Sequence, residues 1–218
     1  EYSLRDLSLI TELVIPDSVT TIGVGAFRGM ISLEKMTVPF VGASRDATSS
    51  SAVLGYIFGY SILTDYEYDA GYYSYVNKAY GTKPTDTIWQ YTNGLRYSGS
   101  KYYRDSYYYY IPSSLVSVTI TDATVIKTAA FNNCGNLTKI KLNEGITSIE
   151  KYAFQNCTGV IGLEVPNTVL TLESYCFNGC KLLEIINIPE GITTINSYTF
   201  YGCSNLKNLS FPQNLKTI

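Results

Sequence analysis

The stretch Leu183-Glu-Ile-Ile-Asn-Ile-Pro-Glu-Gly-Ile-Thr-Thr-Ile-Asn-Ser-Tyr-Thr-Phe-Tyr-Gly-Cys-Ser-Asn205 is one complete unit of a repeat. Its landmarks recur every 23 residues. Phe131, Phe154, Phe177 and Phe200 keep that period, as do Cys134, Cys157, Cys180 and Cys203, and so do Leu137, Val160, Leu183 and Leu206. Three residue types sharing one period and one phase define an array of like coils.

Working outward, copies with the same grammar begin at Ile10, Leu33, Leu115, Leu137, Val160 and Leu183, with a partial one at Leu206. The first places Phe27 in the phenylalanine slot and Met30 in the cysteine slot. Leu4 and Leu7 fall in the slots of Phe27 and Met30, and Ile218 falls in the slot of Ile195. Residues 1–9 thus read as the second half of an earlier coil, and the expectation is an array that extends beyond this stretch on at least one side.

Within a unit, apolar and polar residues alternate after the leading leucine, which is the period of a strand buried on one face. Leu13 and Ile15, Met36 and Val38, Ile140 and Leu142, and Ile186 and Ile188 are expected to point inward. Proline closes the strand at Pro16, Pro39, Pro166, Pro189 and Pro212, where its missing N–H costs no ladder bond. A short second strand follows, as in Gly145–Ile149 and Gly191–Ile195. The Ala-Phe-x-x-Cys segment has apolar residues at helical spacing and predicts a single helical turn on the outer side. The expected fold is a leucine-rich-repeat solenoid, horseshoe-like and β-rich, with Phe27, Phe131, Phe154, Phe177 and Phe200 as a ladder of core plugs.

The grammar resembles the BspA-like leucine-rich repeats of bacterial surface proteins. The elements that carry the likeness are LEVPNTVLTLESYCFNGC, LNEGITSIEKYAFQNC and INIPEGITTINSYTFYGC, and it covers residues 1–40 and 111–218. The segment VPFVGASRDATSSSAVLGYIFGY also looks like an insertion that recurs in that family. The resemblance implies an extracellular or cell-surface protein of a host-associated bacterium, with adhesion as its role.

One copy breaks the phase. From Leu33 to Leu115 the chain runs far beyond one unit. Phe58 resumes the phenylalanine slot after a small insertion near Gly42–Leu54, and a main insertion then occupies residues 60–111. The organisation expected is coils at 1–40, an interrupted coil with its insertion at 41–111, and coils at 112–218, in one continuous solenoid.

Of the 21 tyrosines, 16 lie between Tyr56 and Tyr110, interleaved with Ser, Gly, Thr and Asp, and Trp89 joins them. Such a composition suits a contact surface, because tyrosine offers large amphipathic area at low entropy cost. Tyr72, Tyr73, Trp89, Tyr102, Tyr103, Tyr107, Tyr108 and Tyr109 are the candidate contact residues for a protein or glycan. The competing reading is a β-rich cover over the solenoid flank, its tyrosines packed for stability. Alternating patterns such as Ile62 to Tyr68 predict hairpins.

Other chemistry is thinly represented. Histidine is absent, which removes the commonest general base and metal ligand. No nucleophile elbow, phosphate loop or metal cluster is present, so a hydrolase built on carboxylates in the insertion is the weakest of three readings, behind a binding module and a structural spacer. Asp65, Glu67 and Asp69 begin like a calcium loop, but Ala70 and Val76 stand where Gly and Glu are required. The cysteines read as a column of free, packed thiols, in the order Cys134, Cys157, Cys180 and Cys203. No cofactor is expected. A net charge of −2 gives no basic stripe for nucleic acid, and no apolar run is long enough to span a membrane.

Overall fold

The computed structural model describes residues 3–64, 87–98 and 101–218; at 60–64, 87–89, 91–98 and 101–108 it describes the backbone alone. The chain opens with two short strands, β1 (Glu12–Val14) and β2 (Lys35–Val38), each the Leu-x-x-Ile-x-Ile segment of one coil. The insertion supplies β3 (Tyr60–Thr64), β4 (Thr87–Ser98) and β5 (Lys101–Pro112). The remaining coils give β6 (Ser117–Ile120), β7 (Val125–Ile126), β8 (Lys139–Lys141), β9 (Ser148–Ile149), β10 (Gly162–Leu163), β11 (Thr171–Leu172) and β12 (Ile185–Ile186).

Strands β1, β2, β6 and β8 form one parallel sheet, and β10 pairs β12 in parallel further along. The register aligns Glu12, Lys35, Ser117 and Lys139 in one row, and Gly162, Ile185 and Asn208 in another. Equivalent repeat positions therefore sit side by side. The alternation decides the faces: Met36, Val38, Ile140, Leu142, Ile186 and Ile188 are buried, with Leu13 and Ile15 of the first coil packed against the same core. The second strands β7, β9 and β11 make a parallel sheet of their own. Between the two sheets each coil turns where the sequence places proline, with Val19, Val169, Ile192 and Leu215 donating their N–H to the carbonyl of the proline three residues earlier.

The Phe-x-x-Cys segments are not helical turns. They are chains of tight turns carrying two left-handed residues per coil, such as Ala129 and Asn133, Tyr152 and Asn156, Tyr175 and Gly179. Alternate amides have different partners. Ala130, Asn132 and Cys134 donate to carbonyls three residues back, whereas Ala129, Phe131 and Asn133 donate forward to Lys151, Ala153 and Gln155 of the next coil at 2.7–3.0 Å. A helix would spend all its amides inside one coil. The observed turns spend half of them on joining coils, and the left-handed residues are what aim them outward. Gly179 shows the fit required, since a Cβ there would lie 2.3 Å from Asn156 Oδ1. Helical turns do occur in the interrupted coil, as 3-10 segments at Ser49–Ala52 and Leu54–Phe58.

One cluster of buried side chains runs from Ile22 to Ile195. At its centre Phe131, Phe154, Phe177 and Phe200 stack with centroids 5.2–5.7 Å apart and planes within 6°. Phe58 meets Phe27 edge to face at 6.3 Å, and Phe27 N–H donates to Ile57 O just as Phe131 N–H donates to Ala153 O. Phe58 thus occupies the phenylalanine slot of the interrupted coil.

Candidate binding surface

The insertion leaves the solenoid after Gly59 and returns at Pro112. Strands β4 and β5 pair antiparallel along their whole length, from Thr87 opposite Pro112 to Ser98 opposite Lys101, and β3 pairs the root of β5. Twelve residues per strand give a hairpin roughly 40 Å long at about 3.3 Å per residue. Among the described residues, β3 backs only the part of β5 from Ser106 to Tyr109.

The root of this hairpin is locked by side chains that occur once. Gln90 is fully buried. Its Oε1 accepts the Gly55 N–H at 2.5 Å, and its Nε2 donates to Ala130 O at 2.9 Å and Ala129 O at 3.3 Å. By repeat position Ala130 O is the carbonyl that the preceding coil's amide ladder should reach. Leu54 N–H of the interrupted coil donates to that carbonyl at 2.9 Å, and the Gln90 amide adds a second bond to it. Opposite Gln90 in register stands Tyr109, 2% exposed, whose hydroxyl donates to Ser50 O at 2.6 Å. The small insertion is pinned in the same manner. Arg45 donates to Val19 O at 3.2 Å and Asp17 O at 2.8 Å in the first coil, and to the Asp122 carboxylate two coils on, with its guanidinium over Phe40.

The candidate contact residues therefore separate. Tyr109 is a packing residue, buried with Val53 and Ala129, and it leaves the contact set. Tyr110 is buried too. Trp89, Tyr102, Tyr103, Tyr107 and Tyr108 lie on the two long strands, where Tyr102 is opposite Tyr97, Tyr103 opposite Arg96, Tyr107 opposite Thr92 and Tyr108 opposite Tyr91; their side chains are outside the described residues. Tyr72, Tyr73 and the acidic trio Asp65, Glu67 and Asp69 also lie outside them.

A second aromatic column keeps the same 23-residue spacing. Tyr152, Tyr175 and Tyr198 stack at 5.1 and 4.7 Å along the outer turns, and Tyr201 closes the column edge-on at 5.6 Å. Each of the three stacked residues has φ near +60°, a conformation that disfavours bulky side chains. Tyr152 packs against the Tyr109 cluster, so the column starts at the hairpin root, while Tyr198 and Tyr201 are exposed.

The five cysteines are all free. Cys157, Cys180 and Cys203 each donate their thiol to the phenylalanine carbonyl one coil back, at 3.1 Å. Burial pushes the thiols of Cys134, Cys157 and Cys176 up, so none is a ready nucleophile. Hydrogen bonding to Cys180 lowers half-exposed Cys203. No group of three or more metal-binding side chains occurs among the described residues. The outer face of the main sheet is mixed, with Val14 and Ile185 exposed among polar neighbours.

The repeat model described as BspA type leucine rich repeat region matches six copies, over residues 1–50 and 103–218. The chain belongs to the BspA-type leucine-rich-repeat family. The matched copies stop at the insertion and resume near its end. Among solved structures, a leucine-rich repeat protein from Bacteroides ovatus ATCC 8483 aligns with all of this BspA-type chain at 20% identity and a TM-score of 0.53, which supports the fold. The chain spans 44% of that protein's length. The T. pallidum leucine rich repeat protein is 26% identical over 48% of this chain and 60% of its own, with a TM-score of 0.39. A leucine rich cell surface protein from Faecalibacterium prausnitzii A2-165 is 17% identical over 95% of this chain and 61% of its own, with a TM-score of 0.34. No curated protein matches the sequence.

Proposed function

We propose that this BspA-type segment is a binding module of a bacterial cell surface, engaging a protein or glycan through the tyrosine-rich hairpin. The observation that carries the reading is the hairpin itself. Two 12-residue strands inserted into a solenoid pair along their whole length, and their root is held by a buried amide and a buried tyrosine. Loops and hairpins on rigid scaffolds are where recognition concentrates, and fixing the root lowers the ordering cost on binding. The surface location rests on the family likeness, and no helix among the described residues is long and apolar enough to cross a membrane. The free, buried thiols of raised pKa and the amide and hydroxyl side chains at the hairpin root support a binding role.

The burial of Tyr109 and Tyr110 favours a second reading, in which the aromatic residues serve packing and the segment is a spacer in a longer array. One experiment separates the two. A variant lacking residues 94–105 keeps Gln90, Tyr109 and the β3 pairing but removes the projecting part. Glycan and protein arrays are probed with it and with the wild type. Binding by the wild type that the variant loses supports recognition by the hairpin, and equal patterns sink it.

A further inference from the structure

The other coils suggest what the slot of Gly29 should do. The residue in that slot donates its N–H forward to the next coil: Asp6 to Arg28 O, Asn133 to Gln155 O, Asn156 to Asn178 O and Gly179 to Tyr201 O, at 2.6–2.8 Å. For Gly29 the register points to Gly59 O, two residues beyond the Phe27 bond to Ile57. But Gly59 is where the chain departs, and its carbonyl accepts Tyr110 N–H at 3.3 Å instead. The Gly29 N–H has no acceptor among the described residues.

Gly29 lines a cleft of about 250 Å³, formed where β5 rejoins the first coils. Phe58, Met30, Tyr110 and Pro112 give it an apolar lining, and Ile31 stands half-exposed at its side. The charged groups in the wall are Arg5, Asp6 and Arg28. Asp6 accepts from Arg5 Nε at 3.1 Å. The Arg28 guanidinium has no ion-pair or hydrogen-bond partner among the described residues. Among the described residues the wall thus holds one carboxylate and two guanidinium groups, beside an unmet amide and an apolar lining.

We infer that this cleft binds a carboxylate carried on an apolar body. Arg28 and the Gly29 N–H receive the two oxygens, a pairing suited to the planar fork of arginine, and the apolar part rests on Phe58, Met30 and Tyr110. The volume is below that of a typical drug-sized site and accommodates one ring or one short side chain. Two sources present this chemistry: a free aromatic acid, or the C-terminus of a peptide ending in an apolar residue. The site is independent of the projecting hairpin, because the 94–105 deletion leaves Tyr110 and Pro112 in place.

The test follows amide resonances of the whole chain during titration with 3-phenylpropionate, with N-acetyl-Gly-Gly-Phe, and with the C-terminal amide of each. The expected result is saturable binding of one or both acids, a downfield shift of the Gly29 amide, and no binding of either amide. Arg28→Met should weaken binding by roughly tenfold or more, as for loss of a charge-assisted bond. Ile31→Glu, a change at an exposed side chain, should do the same by repulsion, with the unfolding midpoint of both variants near that of the wild type. Preference between the two acids identifies the source. The inference is overturned if no acid saturates, if acids and amides bind alike, if the Gly29 amide stays still, or if R28M binds as the wild type does.

Discussion

The coils from Ala129 to Cys203 and the interrupted coil from Val41 to Phe58 solve one problem by two methods. Both must pass hydrogen bonds from coil to coil along the outer turns. The regular coils do so with backbone, so that any residue tolerating the φ value suffices, and amide side chains add a parallel line from Asn132 to Gln155 to Asn178. The interrupted coil keeps part of its backbone rungs, with Phe27 donating to Ile57 O and Leu54 to Ala130 O, and adds Gln90, Tyr109 and Arg45, each present once. Redundancy is the difference. A regular rung has neighbours above and below, whereas the side-chain bonds added at the interrupted coil have no second copy.

The largest effect should come from breaking the regular stack at its middle. Phe154→Ala opens a cavity between two stacked rings and should cost about 3–5 kcal/mol in urea unfolding. Hydrogen exchange should rise at Ala130–Cys134 and Cys176–Cys180 together. A rise confined to the mutated coil would argue against coupling between rungs.

Gln90→Leu comes next. It strands the Gly55 N–H and weakens two carbonyl contacts, at a cost of about 2–3 kcal/mol. Exchange should accelerate at Gly55 and along β4 while the 137–203 coils stay protected. Uniform acceleration would show that the hairpin root and the regular stack are one cooperative unit.

Arg45→Ala should cost about 1 kcal/mol, because its ion pair with Asp122 is partly exposed and screened. Adding salt should shrink only the part due to that pair. Arg45→Lys should not restore stability, since an ammonium cannot reach Val19 O, Asp17 O and Asp122 at once. Full rescue by lysine would reduce the clasp to a simple charge contact.

How far these regions were legible follows from the same contrast. The register of Glu12, Lys35, Ser117 and Lys139 could be read directly, because a period of 23 residues repeats the evidence in every coil. The Phe58 slot could be read through an insertion for that reason. The outer turns were misjudged because Phe-x-x-Cys spacing fits a helical turn and a chain of tight turns equally well. What separates them is the left-handed backbone at Ala129, Tyr152, Tyr175 and Tyr198, residue types that do not announce it. Gln90 and Arg45 were illegible because a single Gln or Arg in a polar stretch carries no pattern, and its partners lie 26 to 77 positions away.

The smallest effect concerns the thiol column and is a difference in rate. Cys203 should react first with iodoacetamide at neutral pH, being half-exposed with a lowered pKa, and Cys134, Cys157 and Cys176 only after unfolding. Mass spectrometry of the labelled sites checks the order. Early labelling of Cys157 would mean that the regular coils open more readily than their packing implies.

The bond from Tyr110 N–H to Gly59 O closes the base of the insertion within one hydrogen bond's reach. Whatever lies between those two residues leaves and re-enters the solenoid at almost the same point. A segment with adjacent ends is a socket: its contents can be lengthened, shortened or exchanged at small entropic cost, without moving the coils on either side. Evolution, or an engineer, can therefore rewrite the projecting hairpin beyond Gln90 and Tyr109 as a cassette, holding the rest of the array constant.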